Sequence, residues 1–138
     1  MQLELFVNFD GNCREAVEFY ATIFKSEVKN LMTYGQAPPD PNHPVAEADT
    51  DKVMYADVLI GGVTVMFMDM PTAYPLVIGN NISPTVSMAD MNEVERIFSE
   101  LKVGGEVYME LQKTFFSEKY GMLKDKFGVI WQILYYTK

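Results

Sequence analysis

The stretch that decides the fold is TFFSEKYGMLKDKFGVIW, residues 114 to 131, in which aromatic residues, turn glycines and an apolar strand follow one another. This order predicts two antiparallel strands joined by a tight turn at Asp125-Lys126-Phe127-Gly128, because glycine can adopt the positive φ that such turns require. At the other end of the chain, an alternating strand runs into Asp10-Gly11-Asn12 and then into an amphipathic helix. Its apolar positions are Leu3, Leu5, Val7 and Phe9.

Working outward from these two segments, the order of strand, helix and three strands occurs twice. The first copy has a helix at about 13 to 25 and later strands at about 27 to 34, 52 to 60 and 63 to 70. The second has a strand at about 82 to 88, a helix that contains Val94, Ile97, Phe98 and Leu101 and ends at Gly104-Gly105, and strands at about 106 to 110, 115 to 123 and 129 to 136. Asn12 and Glu15 have the spacing of a capping box, and Gly104-Gly105 is expected to cap the end of the second helix.

Five motifs together carry a family resemblance that covers nearly the whole chain. They are VNFDGNCREAVEFYATIF (7 to 24), TYGQAPPD (33 to 40), GGVTVMFMD (61 to 69), IGNN (78 to 81) and the 114 to 131 stretch. The chain resembles the PhnB-like branch of the vicinal oxygen chelate superfamily, which also holds glyoxalase I, the bleomycin and fosfomycin resistance proteins and the extradiol dioxygenases.

The resemblance implies an α+β fold of two βαβββ modules, whose sheets form a curved, barrel-like cup with the helices on its outer face. It implies one domain over residues 1 to 138, with module 1 at about 1 to 70, a linker at about 71 to 81 and module 2 at about 82 to 138. A concave sheet lined by one set of side chains is a natural site for a small molecule.

Composition excludes several classes of function. The chain has 11 Lys and Arg against 19 Asp and Glu, a net charge of -8, which would repel a nucleic-acid backbone. It contains no apolar run of the roughly 20 residues that a membrane helix requires and no signal-peptide pattern, so we expect a cytoplasmic protein without a membrane partner. The single cysteine, Cys13, excludes an internal disulfide, and we interpret it as a small buried side chain rather than a redox group.

A metal site is not expected. Metal-dependent members of the superfamily carry a His or carboxylate on the first and last strand of each half, and the matching positions here are near Leu5, Met66, Ser83 and Gln132, within about one residue. None of these is a good ligand for a divalent cation, so we predict no metal and no cofactor.

The remaining candidate ligands lie elsewhere. His43, the only histidine, lies in PPDPNHP, which predicts an exposed loop, with a lid or substrate contact as the alternative. We expect Asp57 to face solvent and Asp69 to end its strand, with cation binding or acid-base chemistry as the alternative for both.

No methyltransferase motif is present. The usual S-adenosylmethionine site requires a glycine-rich strand-to-helix turn in a parallel sheet. The two strand-to-helix junctions here are Asp10-Gly11-Asn12 and Ala89-Asp90-Met91, and neither has that pattern.

An inner surface rich in aromatic and methionine side chains would suit an apolar or aromatic ligand. The predicted ligand-binding residues are Tyr34, Tyr55, Met66, Met68, Phe115, Phe116, Tyr120, Trp131 and Gln132. The alternative is that most of them are ordinary core, since any β-rich core of this size requires large side chains. Gln112, Ser83, Ser87 and Gln132 are the polar residues expected to point inward, although Gln132 would equally suit a solvent-facing edge.

Three functions follow from this pattern. The first is a metal-independent protein that binds or sequesters a small apolar or aromatic molecule. The second is an enzyme of the same superfamily, either with a cation held by carboxylates or with metal-free chemistry on tyrosine and Asp69, and the third is an interaction protein without a small ligand. Family members are commonly homodimers, and a homodimer contact is expected around Tyr135, Tyr136 and the segment from Met70 to Ile78.

Overall fold

The computed structural model describes residues 1 to 137, which form two compact units divided between Val77 and Ile78. The boundary between the units falls inside the segment predicted as a linker. Each unit contains one helix and one open four-stranded mixed sheet, so the fold is α+β and neither sheet closes into a barrel. In the described part of the chain, no helix has the length and apolar character needed to cross a membrane.

Unit 1 has the βαβββ order predicted from the sequence. Its elements are β1 (Leu5–Phe9), α1 (Cys13–Ile23), β2 (Val28–Thr33), β3 (Val53–Ile60) and β4 (Val63–Asp69), with two 3₁₀ turns at Tyr34–Gln36 and Glu47–Asp49. The strands are ordered β1-β4-β3-β2; β1 and β4 are parallel and the other neighbours are antiparallel.

Unit 2 repeats this topology. Its elements are β5 (Thr85–Met88), α2 (Met91–Leu101), β6 (Glu106–Gln112), β7 (Tyr120–Lys124) and β8 (Ile130–Tyr135). The order is β5-β8-β7-β6, with β5 and β8 parallel. The turn predicted at 125 to 128 joins β7 to β8: the Gly128 amide donates to the Asp125 carbonyl at 3.0 Å, and the φ of Gly128 is +92°.

The core of unit 1 lies between α1 and one face of its sheet. Tyr20 of α1 stacks on Phe67 of β4, with ring centroids 5.6 Å apart, and Phe67 stacks in turn on Phe9 of β1. All three side chains are at most 2% exposed. Because side chains alternate along a strand, this packing also fixes which residues of β1, β3 and β4 point away from α1.

The core of unit 2 is built in the same way around α2. Val94, Ile97, Phe98 and Leu101 are buried on the inner side of this helix. Gly121 of β7 lies so close to α2 that an added Cβ would stand 2.6 Å from the Phe98 ring, so a larger residue would push the helix off the sheet. Gly121, Leu123, Trp131 and Ile133 therefore share the face that packs on α2.

The ends of several elements differ from the sequence predictions. The Asn12 side chain makes no capping hydrogen bond, and α1 ends at Ile23 rather than near residue 25. The predicted capping box is therefore wrong, because the buried Asp69 carboxylate accepts from the amides of Gly11 and Cys13 instead. Helix α2 ends at Leu101 with Lys102 as its C-cap, so Gly104 takes its positive φ of +73° two residues beyond the cap.

The strand predicted at 115 to 123 begins only at Tyr120. Residues 114 to 117 form a turn, because the Ser117 amide donates to Thr114 Oγ1 and the Thr114 amide donates to the Ser117 carbonyl. The Ser117 hydroxyl, which is buried, contacts the carbonyls of Lys119 and Tyr135. This turn holds the two phenylalanines between its ends outside the sheet.

Candidate functional site

The candidate site in unit 1 is the sheet face turned away from α1, which we call the far face of unit 1. Strand register places Phe6 beside Met66 and Met66 beside Asp57. The same alternation places Tyr55 and Met68 on this face, since they are two residues from Asp57 and Met66. Three of the predicted ligand-binding residues, Tyr55, Met66 and Met68, are thus brought together.

A hydrogen-bonded cluster of Tyr55, Asp57 and Asn30 lies on the far face of unit 1. Asp57 Oδ2 accepts from the Tyr55 hydroxyl at 3.0 Å and from Asn30 Nδ2 at 2.8 Å. Asp57 is 7% exposed, so the expectation that it faces solvent is wrong. The edge strand bends at Asn30, whose φ is +56°, and the amide reaches the carboxylate from there.

Burial, the hydrogen bond to Asp57 and the charges of Asp57 and Glu4 raise the pKa of Tyr55. The phenol therefore keeps its proton at physiological pH, and its hydroxyl group donates a hydrogen bond to the carboxylate. Tyr55 also packs edge-on against Phe6, with centroids 6.1 Å apart at 72°. The far face of unit 1 thus joins an apolar aromatic surface to one oriented carboxylate.

Of the four positions matched to the superfamily's metal ligands, the two in unit 1 offer no suitable donor for a divalent cation. Leu5 pairs with Val65 on the side of the sheet that packs on α1, so its neighbour Phe6 takes the place on the far face. Phenylalanine and methionine offer no hard oxygen or imidazole donor. Among residues 1 to 137, no group of three or more His, Cys, Asp or Glu side chains is arranged to hold a metal ion.

The sheet face of unit 2 that is turned away from α2, which we call the far face of unit 2, carries a chain of hydrogen bonds. The Tyr120 hydroxyl donates to Gln132 Oε1 at 2.7 Å, and Gln132 Nε2 donates to Ser83 Oγ at 2.7 Å. Gln132 is half-buried, and its amide is satisfied by these two neighbours. Phe116 packs edge-on against Tyr120, with centroids 5.1 Å apart, which extends the polar chain into an aromatic surface.

Not every predicted residue joins this face. Trp131 lies on the side that packs on α2, is 4% exposed, and donates its indole N–H to Asp125 Oδ2 at 2.9 Å. Ser87 and Gln112 are exposed rather than turned into a protected surface, and the Gln112 amide donates to its neighbour, the Glu110 carbonyl. Phe115 is fully exposed and contacts Phe116.

Tyr34 lies in a separate cleft of unit 1, with a volume of about 360 Å³. Its hydroxyl donates to the Asp69 carbonyl at 2.7 Å, and burial, followed by the charge of Asp69, raises its pKa. The other side of the cleft is the proline-rich loop that contains His43. His43 is exposed, as predicted, and its Nδ1 lies 3.0 Å from Asp40 Oδ2.

Asp69 ends β4, as predicted, and it holds the backbone together. It is 1% exposed, and its Oδ1 accepts from the amides of Gly11 and Cys13 at 2.8 and 3.0 Å. Its Oδ2 accepts from the Val53 amide at 2.9 Å. A carboxylate with both oxygens engaged in this way is suited to fix the start of α1 rather than to exchange protons with a ligand.

Cys13, in the first turn of α1, is fully buried. Burial, reinforced by the charge of Asp69, raises the pKa of its thiol to about 12. The helix terminus therefore does not activate this cysteine, since desolvation outweighs the dipole.

Two residues of the far face of unit 1, Phe6 and Asn30, escaped the sequence analysis. The signal for Phe6 is present in the alternation of β1: the stripe of Leu5, Val7 and Phe9 is the one that packs on α1, so the intervening residues belong to the other face. Nothing in the local sequence marks Asn30, because its role depends on a bulge between β2 and β3.

This arrangement of two βαβββ units agrees with the comparisons with known proteins. A family model described as 3-demethylubiquinone-9 3-methyltransferase matches residues 2 to 134. Protein YjdN of Escherichia coli is 29% identical over 140 residues, covering 96% of this chain and 94% of that protein.

Solved structures show the same likeness. PA1353 from Pseudomonas aeruginosa is 30% identical with a TM-score of 0.86, over 99% of this chain and 100% of that one. A putative 3-demethylubiquinone-9 3-methyltransferase, PhnB protein, from Bacillus cereus is 28% identical with a TM-score of 0.80, again over 99% and 100%. The fosfomycin resistance protein FosX from Listeria monocytogenes shares the fold alone, at 12% identity and a TM-score of 0.65, over 99% and 93%.

The fold is that of the vicinal oxygen chelate superfamily. Within it, the chain belongs to the PhnB-like family whose model bears the methyltransferase description.

Proposed function

We propose that this chain is a metal-independent protein that binds a small apolar or aromatic molecule through the far faces of its sheets. The single observation that carries the proposal is the aromatic and methionine surface of unit 1, formed by Phe6, Tyr55, Met66 and Met68, which is not covered by α1. Phe6 is 41% exposed, and a ring so placed offers stacking area to a ligand. Methionine adapts to several ligand shapes, so the surface suits a class of molecules.

Unit 2 supports the same proposal independently. Phe116 is 55% exposed beside Tyr120, whose hydroxyl begins the chain to Gln132 and Ser83. An exposed ring next to oriented polar groups is the usual composition of a small-molecule site, in which apolar contacts supply affinity and a few polar atoms fix orientation.

The test is a thermal-shift and calorimetric screen of the purified protein against hydrophobic drugs and quinone-like metabolites. Phe6→Ser and Phe116→Ser each remove one partly exposed ring and should weaken the binding of any hit. Both variants are expected to fold, because neither ring belongs to the buried core. Val103→Ser is the matched control, since Val103 is 60% exposed, follows α2 and is not one of the residues of either surface. No hit in the screen, or hits unaffected by both ring variants, would contradict the proposal.

A second candidate function is an enzyme that uses metal-free acid-base chemistry, and one observation favours it. The Tyr55 hydroxyl and the Asp57 carboxylate form a hydrogen-bonded pair on the far face of unit 1. Asp69 is not a candidate for this role, because its oxygens already accept hydrogen bonds from backbone amides. A bound molecule that is converted by the protein, with turnover lost in Asp57→Asn, would favour the enzyme over the binding protein.

The cation-dependent form of the enzyme is tested by elemental analysis of protein purified without chelator, followed by chelation and readdition of nickel, zinc, manganese or iron. We expect no stoichiometric cation and no change in ligand binding, because the matching positions offer no suitable donors. A bound cation in equimolar amount would end the metal-independent proposal.

Methyl transfer, which the family description names, is not part of the proposal. Each four-stranded sheet has three pairs of neighbouring strands, and only one of these pairs is parallel. Neither strand-to-helix junction is a glycine-rich turn of the kind that binds S-adenosylmethionine. Calorimetry with S-adenosylmethionine is expected to give no binding heat.

We also propose that the protein is a homodimer. Apolar side chains are exposed in residues 74 to 82, on both sides of the boundary between the two units, and they would be costly to leave in water. They are Tyr74 at 65%, Val77 at 88%, Ile78 at 57% and Ile82 at 72% exposure.

A further inference from the structure

We propose that Asp57, with the rings of Tyr55 and Phe6 beside it, forms a subsite for a protonated amine carried by the ligand. This inference rests on the proposed binding function and adds the chemical class of the ligand: an aromatic or apolar molecule with a primary or secondary ammonium group. The far face of unit 1 would then bind both the apolar body and the ammonium group of such a molecule.

The geometry of the carboxylate comes first. Both hydrogen bonds to Asp57, from Tyr55 and Asn30, reach the same oxygen, Oδ2. Oδ1 accepts no hydrogen bond from any residue between 1 and 137. All fully buried side-chain nitrogens and oxygens in this part of the chain have partners, so Oδ1 reaches the surface. Asp57 therefore presents one free oxygen from an otherwise buried and oriented side chain.

Asp57 has no ion-pair partner within 4.0 Å among residues 1 to 137, although Lys29 stands opposite it in the strand register. Glu4 lies close enough to act on Tyr55, so the local potential is further negative. A buried anion with a free oxygen and no counter-ion is stabilised by a cation from outside.

The surroundings favour an organic ammonium over a metal ion. A hard divalent cation requires several oxygen ligands, and Asp57 is one carboxylate beside methionine and aromatic side chains. A protonated amine requires one charged acceptor and gains from aromatic rings nearby, because the ring face attracts a cation. The ring of Tyr55, which is hydrogen-bonded to Asp57, and the partly exposed ring of Phe6, edge-on to Tyr55, are the aromatic groups that would make this contact.

The experiment compares three probes that share one ring system: 1-naphthylmethylamine, 1-naphthylmethanol and 1-naphthoate, titrated into the full chain at pH 7 by calorimetry. We expect the amine to bind about tenfold more tightly than the alcohol, since the ammonium adds the attraction of opposite charges to the hydrogen bond that both probes can donate to Asp57. The naphthoate should bind most weakly. Amide resonances of β3 and β4 around Asp57 should shift with the amine in nuclear magnetic resonance spectra of the labelled protein.

Asp57→Asn should abolish the preference for the amine, so that the amine and the alcohol bind with about equal affinity. Asp51→Asn, which removes the same charge from an exposed position of unit 1, should change neither. If Asp57→Asn does not fold, the comparison of the three probes on the unchanged protein still decides the question.

The outcomes separate the two proposals. Equal affinities for amine and alcohol, or a preference that survives in Asp57→Asn, would overturn the ammonium subsite while the binding function stands. Failure of all three probes and of the wider ligand screen would overturn the binding function and the subsite with it.

Discussion

At the scale of single residues, Asp69 shows how one buried side chain can define the start of a helix. Its carboxylate accepts three backbone amides, from Gly11, Cys13 and Val53. In Asp69→Asn, an amide nitrogen must face at least one of these donors, so a buried N–H loses its partner. We expect a loss of about 3 kcal/mol in the free energy of unfolding, measured in urea.

Asp51→Asn is the control for this change. Asp51 is exposed, so its substitution removes the same charge without affecting the hydrogen bonds of Asp69 to the backbone. It should alter the free energy of unfolding by less than about 0.5 kcal/mol. An Asp69→Asn variant as stable as this control would show that the three hydrogen bonds are not what fixes the start of α1.

Cys13 makes stability depend on alkaline pH. Its thiol pKa is raised from 9.0 to about 12 by burial, so above pH 9 the unfolded chain loses this proton and the folded chain keeps it. The contribution is present in full below pH 9 and is lost as the pH rises toward 12, at about 1.4 kcal/mol per pH unit.

The measurement for Cys13 is urea unfolding at pH 8, 9, 10 and 10.5. The free energy of unfolding of Cys13→Ala should fall less steeply with pH, by about 1.4 kcal/mol per pH unit. Some decline should remain in this variant, because the pKa values of Tyr34 and Tyr55 are also raised. Identical slopes in the two proteins would contradict the burial of the thiol, as would rapid alkylation of the folded protein at pH 8.

Residue roles were predictable where local pattern decides them and not where distant segments meet. The alternation of β1 was visible in the sequence, yet the metal-position match selected Leu5 when Phe6 is on the far face, because pattern alone does not say which stripe packs on the helix. Asp57 was expected in solvent because it sits in an alternating strand. Its burial depends on Asn30, 27 residues earlier, which a bulge brings next to it.

At the scale of elements, Gly121 sets how closely α2 packs on its sheet. A Cβ at this position would lie 2.6 Å from Phe98 Cε2, 3.0 Å from Leu111 Cδ2 and 3.1 Å from the Met109 carbonyl oxygen. Gly121→Ala should therefore destabilise the protein by about 2 kcal/mol, because α2 or β6 must shift to make room. Thermal and urea unfolding measure the change.

The control for Gly121→Ala is Gly79→Ala, where the added Cβ would meet only the Asn81 side chain at 3.4 Å. This variant should be as stable as the starting protein to within about 0.5 kcal/mol. If Gly121→Ala behaved like Gly79→Ala, the packing of α2 would have to be looser than the structure shows.

Element type and order were predictable because the apolar period differs between helix and strand, and the turn at Gly128 marks its hairpin. Boundaries were less so. The aromatic run at 115 and 116 suggested strand, but the hydroxyls of Thr114 and Ser117 offer the backbone an alternative pairing and form a turn. Because of this turn, Phe115 and Phe116 lie on an exposed loop rather than on the predicted inner surface.

At the scale of the whole molecule, the order of elements recurs in the sequence pattern, but only the family resemblance identified the two halves as related modules, because they share little sequence. The site residues divide accordingly. Tyr55, Met66 and Met68 meet on one face, and Tyr120 and Gln132 on another, since each group lies on strands paired within its own unit. Tyr34 and Trp131 do not join them, because Tyr34 lines the separate cleft and Trp131 is buried in the core of unit 2.

The exposed apolar segment of residues 74 to 82 carries the last prediction. Val77 is 88% exposed and Ile82 is 72% exposed, and a homodimer would remove such side chains from water. Sedimentation velocity should find a species of twice the chain mass, and Val77→Asp should convert it to monomer because a carboxylate would be desolvated at the contact. Val103→Asp, at an exposed apolar position outside the segment, should remain dimeric. A starting protein that is monomeric at micromolar concentration would contradict the dimer, whereas a dimer that persists in Val77→Asp would place the contact elsewhere on the surface.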